Sequence, residues 1–166
     1  MPDTVSKTLF DPTAVFVTEQ TTQAAIFQEV ADKLLEKQYV KPEFLANLSE
    51  REKNYPTGID MSVVNPDYPN VAIPHTEGDF VNVRLIVPIK LVHPVDFGNM
   101  IDPSDSFKVT FLFMILNNDP DGQANVLSEI MGFLTTTPEA DLKNFFGETN
   151  RAAIYSFLNT YFNQES

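Results

Sequence analysis

The segment FKVTFLFMIL, residues 107–116, decides which class of fold this chain can adopt. It is nearly all apolar and is rich in phenylalanine and leucine. A strand with one solvated face alternates apolar and polar residues, whereas a strand buried on both faces is apolar almost throughout. The segment therefore predicts a central strand that other elements cover on both sides.

Three other segments have the composition of strands. AVFVTEQ (14–20) mixes β-branched and aromatic residues, and VAI (71–73) and FVNVRLIVPIKLV (80–92) are rich in valine and isoleucine. Residues 55–70, in contrast, contain three prolines and one glycine. This composition predicts loops or brief extended pieces between the helices and the strands.

Two helices are predicted after the first strand. Residues 21–40 carry apolar side chains at helical spacing, and Thr21 or Thr22 can cap the N-terminus. Residues 41–54 include a proline near their start and predict a second, shorter helix that ends near Lys53. Three more helical patterns close the chain, over residues 123–137, 138–148 and 150–164.

The element order is thus a strand, two helices, about three strands and three helices. Elements that are grouped in this way, rather than strictly alternating, predict an α+β fold with three α/β/α layers around a central mixed β-sheet. A chain of 166 residues with 43% hydrophobic content has the size of one domain. We therefore expect a single domain over residues 1–166, with residues 1–13 as a flexible or loosely packed tail.

Composition argues against several classes of function. The chain has no cysteine, which excludes disulfides and thiolate chemistry. Its net charge of −12, without a local lysine or arginine cluster, opposes nucleic-acid binding. No apolar run reaches the roughly 18 to 20 residues of a membrane span, and the N-terminus lacks a secretion signal. We expect a cytoplasmic protein without membrane insertion, whose acidity either attracts a basic partner or merely keeps it soluble.

Metal and nucleotide motifs are also missing. The loop from Asn117 to Gly122 begins like an EF-hand, but its twelfth position is Ser128 instead of glutamate and a predicted strand precedes it. Neither GxxxxGK[ST] nor GxGxxG occurs, and there is no GxSxG or HExxH motif. The sequence therefore predicts neither a metal nor a cofactor.

The remaining chemical candidate is His75, in VAIPHTEGDFV (71–81). An imidazole has a reference pKa of about 6.5, so its neutral form offers a nucleophilic nitrogen near neutral pH. Such a ring can accept a phosphoryl group that is already activated on another protein, without nucleotide or Mg²⁺. The alternative is an ordinary turn residue. His93, between Val92 and Pro94 at a predicted strand end, is interpreted as structural or surface-exposed.

The motifs around His75 resemble a known family. In chain order they are REKNYPTGI (51–59), VAIPHT (71–76), LVHPVDFGNM (91–100) and VTFLFMIL (109–116), preceded by LLEKQYVKPEFLANLSERE (34–52). Together they resemble the enzyme IIA domains of the phosphoenolpyruvate-dependent sugar phosphotransferase system (PTS), of the fructose/mannitol type. The resemblance extends from Ala14 to Phe162. The spellings PTG and PHT are most similar to the galactitol subgroup.

The resemblance implies a phosphocarrier without a cofactor. His75 matches the family's phosphorylated histidine, which takes its phosphoryl group from the phosphocarrier protein HPr and passes it to enzyme IIB of a sugar permease. Arg51 matches an arginine expected near that ring, where a guanidinium can hold phosphate oxygens; a plain surface ion pair is the alternative. Thr57 and Thr76 are weaker candidate donors. The family's three-layer fold agrees with the predicted element order.

This sequence departs from the family pattern in two places. Mannitol and nitrogen-regulatory members carry a second histidine at the start of the helix after the apolar strand, where Gln123 is the nearest counterpart here. An amide can donate a hydrogen bond to a phosphoryl oxygen but cannot take a proton. The family's Gly-Tyr-Val is Gln38-Tyr39-Val40 here, a change that affects helix-end packing more than chemistry.

Three functions stay open at this point. The leading one is a sugar or hexitol phosphocarrier that docks its partners on an apolar surface around His75, where Phe80 and Phe97 are either rim or core residues. The second is a regulatory binding module in which phosphorylation of His75 is a signal. The third is a non-catalytic acidic interaction domain with a structural His75. The sequence determines neither the sugar, nor the oligomeric state, nor the reactive ring nitrogen.

Overall fold

The computed structural model describes residues 9–119 and 123–162. Its strands are β1 (Phe16–Thr18), β2 (Gly58–Ile59), β3 (Asn70–Ala72), β4 (Arg84–Gly98) and β5 (Ser106–Asn117). Its helices are α1 (Gln23–Glu36), α2 (Phe44–Asn54), α3 (Gln123–Thr136), α4 (Glu139–Gly147) and α5 (Arg151–Phe162). Short 3₁₀ turns occupy Met61–Val63 and Gly78–Phe80.

The five strands form one mixed sheet in the order β1-β4-β5-β3-β2. β1 is parallel to β4 and β3 is parallel to β5, whereas the β4–β5 and β2–β3 pairs are antiparallel. The predicted mixed sheet with its helices is therefore confirmed. Four strands, instead of about three, lie between the helix groups, because the two residues of β2 are too few to produce an apolar pattern.

β5 is the central strand that its sequence predicts. It lies between β4 and β3, and residues 111–116 are all buried. Consecutive side chains of a strand point to opposite faces, and here they alternate between two core clusters. Phe111, Phe113 and Ile115 pack with residues of α3, α4 and α5. Leu112, Met114 and Leu116 pack instead with residues of α1 and α2.

α1 begins and ends as helix-capping chemistry dictates. The Thr22 hydroxyl accepts a hydrogen bond from the Ala25 amide at 3.1 Å, which confirms the predicted cap. At the other end, the amides of Gln38 and Tyr39 donate to the carbonyls of Leu35 and Leu34. This pair of bonds is a Schellman motif, which requires the left-handed conformation at its turning residue, and Gln38 has φ of 64°.

Gln38 therefore occupies a position that favours glycine, because a side chain in the left-handed region clashes with its own backbone. We expect Gln38→Gly to raise the free energy of unfolding by about 1 kcal/mol. Urea unfolding of the two proteins measures the difference. Lys37→Gly, one residue earlier where φ is −81°, is the control and is expected to destabilise the protein. A loss of stability in Gln38→Gly would contradict the assignment.

His93 lies inside a strand and not at its end, so this part of the sequence interpretation is wrong. β4 continues past Pro94 to Gly98, and its register with β5 shifts between Lys90 and Val95. Pro94 is tolerated there because a proline has no N–H to donate and bulged segments leave donors unpaired. His93 is exposed, as expected for a surface residue.

The N-terminal segment is partly packed. Leu9 and Phe10 are buried in the core cluster of α3–α5, and the Leu9 carbonyl accepts a hydrogen bond from the Ile86 amide at 2.7 Å. The loosely packed tail that we predict over residues 1–13 therefore does not include these two residues, and residues 1–8 lie outside the described part. Among the described helices, none combines the length and apolar character that crossing a membrane needs.

Candidate functional site

A pocket of about 180 Å³ opens where α2 ends and the chain turns towards β2. The residues around it come from three segments that are distant in sequence. They are Arg51, Glu52, Tyr55, Pro56, Thr57, His75 and Met100. Three of the residues predicted from the sequence to form a site, Arg51, Thr57 and His75, therefore share one cavity.

Met100 reaches the pocket because two glycines let the chain approach closely. A Cβ atom on Gly58 would lie 2.4 Å from the Gly98 carbonyl oxygen, so any larger residue at position 58 would push the segments apart. The Met100 amide then donates to the Gly58 carbonyl at 2.9 Å. These contacts hold the turn between β4 and β5 against the loop that follows α2.

His75 is fixed from both its backbone and its ring. It lies three residues after the end of β3, and the preceding Pro74 carbonyl accepts a hydrogen bond from the Ile115 amide of β5 at 3.0 Å. The ring Nδ1 lies 2.9 Å from the Ile73 carbonyl oxygen. Because a carbonyl can only accept, Nδ1 carries the hydrogen, and Nε2 keeps a free lone pair.

The surroundings favour the neutral form of His75. Burial lowers the pKa of the ring, and the positive charge of Arg51 lowers it further, while the hydrogen bond to Ile73 raises it in part. The resulting pKa lies below the ordinary value of 6.5. At neutral pH the ring is therefore an uncharged nucleophile.

A titration of His75 tests this electrostatic assignment. We expect ¹H–¹⁵N NMR to give a His75 pKa below the ordinary histidine value of about 6.5. Between the two values the unfolded chain binds a proton that the folded protein does not, so stability falls as pH drops from about 6.5 towards the folded-state pKa. Removing the Arg51 charge raises the His75 pKa. A His75 pKa at or above about 6.5 would contradict the assignment.

Arg51 forms the charged wall of the pocket. Its Nη1 lies 3.4 Å from Glu77 Oε2, and its guanidinium carbon stands 5.6 Å from the centre of the Tyr55 ring. Glu77 is 63% exposed and Arg51 31%, so water screens this ion pair and it contributes little stability. A guanidinium has five donors, and a single contact to Glu77 leaves others for an anion in the pocket.

Glu52 is a pocket residue that the sequence analysis missed. Only 4% of its surface is exposed, and its carboxylate accepts hydrogen bonds from the Thr57 amide and hydroxyl, each at 2.8 Å. Burial raises the pKa of this carboxyl, although the two hydrogen bonds act in the opposite direction. The signal was its spacing, since Glu52 continues the apolar series of Phe44 and Leu48 along the buried face of α2.

The other three residues predicted for the site, Thr57, Thr76 and Gln123, are less clearly positioned to contact an anion in the pocket. Thr57 lines the pocket, but its amide and hydroxyl hydrogens both go to Glu52. Thr76 is buried and donates its hydroxyl to the Glu77 carbonyl at 2.9 Å. Gln123 is the first residue of α3, and its side chain lies outside the described part of the structure.

Phe97 and Phe80 belong to the core more than to the site. Phe97 is buried beside Phe27, with 6.1 Å between the ring centres, and Phe80 is half-buried against the same cluster. Within residues 9–119 and 123–162, no group of three or more histidine, aspartate or glutamate side chains could hold a metal ion.

Several solved structures of IIA proteins have a fold similar to that of this chain. IIA mannitol of Escherichia coli superposes with a TM-score of 0.68 at 18% identity, over 90% of this chain and 98% of that one. The nitrogen regulatory protein IIA-Ntr of Neisseria meningitidis gives 0.67 at 20% identity, over 93% and 99%. A complex of enzyme IIA mannitol with phosphorylated enzyme IIB from E. coli gives 0.68 at 18%, over 90% and 96%. The fold is that of the IIA proteins.

The family is shown by a second comparison. The model of the phosphoenolpyruvate-dependent sugar phosphotransferase system family EIIA 2 matches residues 8–161. This chain belongs to that family, which confirms the resemblance drawn from the motifs at the level of the family. A search of curated proteins finds no match. The galactitol subgroup stays a prediction.

Proposed function

We propose that this protein is a phosphocarrier of a sugar or hexitol phosphotransferase system, with His75 as the group that carries the phosphoryl. The observation that supports this role most directly is the state of the ring. His75 is partly buried in a pocket beside Arg51, its Nδ1 hydrogen is held by Ile73, and Nε2 has a free lone pair. A nucleophile in this state needs no base to activate it.

The reaction exchanges one nitrogen–phosphorus bond for another. The lone pair of His75 Nε2 attacks phosphorus, the bond to the donor histidine breaks, and its electron pair returns to the donor nitrogen. The phosphorylated ring keeps its Nδ1 hydrogen and therefore becomes positively charged, which the Ile73 carbonyl stabilises. Arg51 supplies positive charge to the phosphoryl oxygens as they pass between the rings. Because similar bonds break and form, transfer is reversible.

Partner docking is supported by apolar residues at the pocket edge. Tyr55 and Met100 are 67% and 38% exposed, and Ile101 beside them is 91% exposed. Such a surface excludes water when a partner covers it, which protects the phosphoryl group from hydrolysis. The donor in this proposal is phospho-HPr, and the acceptor is enzyme IIB. The E. coli complex of a IIA with phosphorylated IIB has a partner of this second kind.

Subgroup and location complete the proposal. The PTG and PHT spellings favour a galactitol-type protein. The proposal further includes a cytoplasmic location and a single EIIA domain over residues 1–166. Thr57, Thr76 and Gln123 are proposed as secondary neighbours of the phosphoryl group. Since the hydroxyls of Thr57 and Thr76 already donate within the protein, either would have to rotate to serve as a donor.

Intact-mass analysis tests the proposal. The protein is incubated with phosphoenolpyruvate, enzyme I and HPr, and then mixed with a galactitol-type enzyme IIB. We expect one acid-labile phosphoryl adduct that disappears when IIB is added. An unmodified mass after the first incubation would overturn the phosphocarrier role.

A regulatory module is the second candidate, because the nitrogen regulatory protein of N. meningitidis has the same fold at a similar TM-score. The same experiment separates the two functions. A phosphorylated protein that keeps its adduct in the presence of every enzyme IIB tested would favour regulation by His75 phosphorylation over sugar transport.

A further inference from the structure

Glu52 is an acidic residue at a position of α2 where the spacing of buried residues predicts an apolar side chain. Phe44 and Leu48 of α2 are fully buried, and Glu52 follows at the same spacing of four residues with 4% of its surface exposed. Moving a carboxylate out of water is costly unless hydrogen bonds compensate for the lost hydration. A leucine would serve packing better, so the carboxylate needs another explanation.

Both oxygens of this carboxylate are directed at one residue. Oε2 accepts from the Thr57 amide and Oε1 from the Thr57 hydroxyl, each at 2.8 Å. Thr57 lies in the turn after α2 that carries Tyr55 and Pro56 to the pocket wall. Glu52 therefore clamps the loop that forms one side of the pocket, from a helix that is itself anchored in the core.

The clamped loop is connected to His75 by two more hydrogen bonds. The Thr57 carbonyl accepts from the Ile73 amide at 3.3 Å. The carbonyl of that same Ile73 accepts from His75 Nδ1 at 2.9 Å. A series of contacts thus runs from Glu52 through Thr57 and Ile73 to the ring, and its last bond decides which ring nitrogen is protonated.

We propose that Glu52 is a positioning residue for His75, which acts through Thr57 and Ile73 to hold the ring as the Nδ1–H tautomer with Nε2 free for the phosphoryl group. The consequence for transfer rests on the function proposed above, whereas the consequence for the ring does not. Hydrogen bonding to a second group commonly selects the tautomer and orientation of a reactive histidine. Here that control originates in a helix residue that reaches the ring through three hydrogen-bonded links.

Three substitutions separate the effect of hydrogen bonding from the effects of charge and of packing. Glu52→Leu continues the apolar series of α2 and removes both acceptors. Glu52→Gln keeps the shape and can reproduce both contacts, because its carbonyl accepts from the Thr57 amide while its NH₂ donates to the Thr57 hydroxyl. Glu50→Gln, on the same helix but exposed, removes an equal charge without touching the loop.

Two readouts are compared in these variants. The first is the protonated nitrogen of His75, identified from ¹H–¹⁵N spectra of the imidazole ring without any phosphoryl donor. The second is the rate of phosphorylation by phospho-HPr, with circular dichroism to verify folding. We expect Glu52→Leu to give a mixture of ring tautomers and a rate lower by about 10- to 100-fold, since small misplacements of a reacting group have effects of this size. Glu52→Gln and Glu50→Gln keep the wild-type tautomer and rate.

A folded Glu52→Leu protein with the wild-type tautomer and rate would overturn the proposal and leave Glu52 as a stabilising residue only. A loss in Glu52→Gln as large as that in Glu52→Leu would also overturn it, because charge and not hydrogen bonding would then be responsible. If Glu52→Leu does not fold, Thr57→Val, which deletes one of the two contacts, replaces it. A tautomer mixture in Thr57→Val supports the proposal, and an unchanged ring contradicts it.

The ring spectra also distinguish a failure of this inference from a failure of the proposed function. If the wild-type protein accepts no phosphoryl group from HPr, the phosphocarrier role fails. A tautomer change in Glu52→Leu would still establish that Glu52 controls the ring. Conversely, a phosphorylated wild type whose ring is indifferent to Glu52 preserves the function and removes only the positioning role.

Discussion

We expect His75→Ala to abolish phosphorylation of this protein by phospho-HPr. Alanine has no nucleophilic nitrogen, and the only other side-chain nitrogens that line the pocket belong to the protonated guanidinium of Arg51, which has no free lone pair. The expected loss is complete within the detection limit of intact-mass analysis after incubation with phosphoenolpyruvate, enzyme I and HPr. Folding is expected to persist, because His75 is only partly buried and its backbone is held by Pro74 and Ile115.

His93→Ala is the matched control, since it removes the only other imidazole of the chain. His93 is exposed and does not line the pocket, so this variant is expected to be phosphorylated like the wild type. An adduct that survives in His75→Ala but disappears in His93→Ala would show that His93, and not His75, carries the phosphoryl group. An adduct that survives in both would direct attention to a side chain other than histidine.

Arg51→Met lowers the rate of phosphorylation by about 10- to 100-fold, which is the range expected when a hydrogen bond to a charged group is lost from a transition state. Methionine preserves much of the aliphatic length over the Tyr55 ring but supplies no positive charge. The same change removes one cause of the low pKa of His75. The variant should therefore show slower transfer together with a higher His75 pKa.

Lys53→Met provides the control for overall charge, because Lys53 is an exposed residue of the same helix. It is expected to transfer at nearly the wild-type rate. Arg51→Lys is expected to fall between wild type and Arg51→Met, since a lysine keeps the charge but cannot hold two phosphate oxygens with one planar group. Equal effects of Lys53→Met and Arg51→Met would show that only long-range attraction between the partners is involved.

The fold was largely predictable because its central strand is unusual in composition. A continuous apolar run such as residues 109–116 fits few environments other than a strand covered on both faces. The helices follow from spacing and caps, as Thr22 illustrates. β2 and the continuation of β4 beyond Pro94 were not predictable, because both depend on pairing with distant residues and not on local preference.

The site was predictable only in part. The motifs identified His75 and Arg51, and the structure brings both to one pocket. Glu52 escaped notice because a glutamate near a helix end normally faces water. Its burial depends on the turn that returns Thr57 to it. Which ring nitrogen of His75 is free could not be predicted from the sequence either, because the Ile73 carbonyl sets the tautomer and no property of the histidine itself does.

The register shift in β4 has a consequence for how this protein behaves at high concentration. Within the described residues, β1 covers the outer side of β4 only at residues 89–91, which leaves the following segment as a sheet edge. Open edges recruit strands from other molecules and begin aggregation. The bulge, the missing amide hydrogen of Pro94 and the Asp96–Lys108 ion pair at 3.2 Å interrupt that edge. These features reduce the tendency of this edge to pair with the strands of a second molecule.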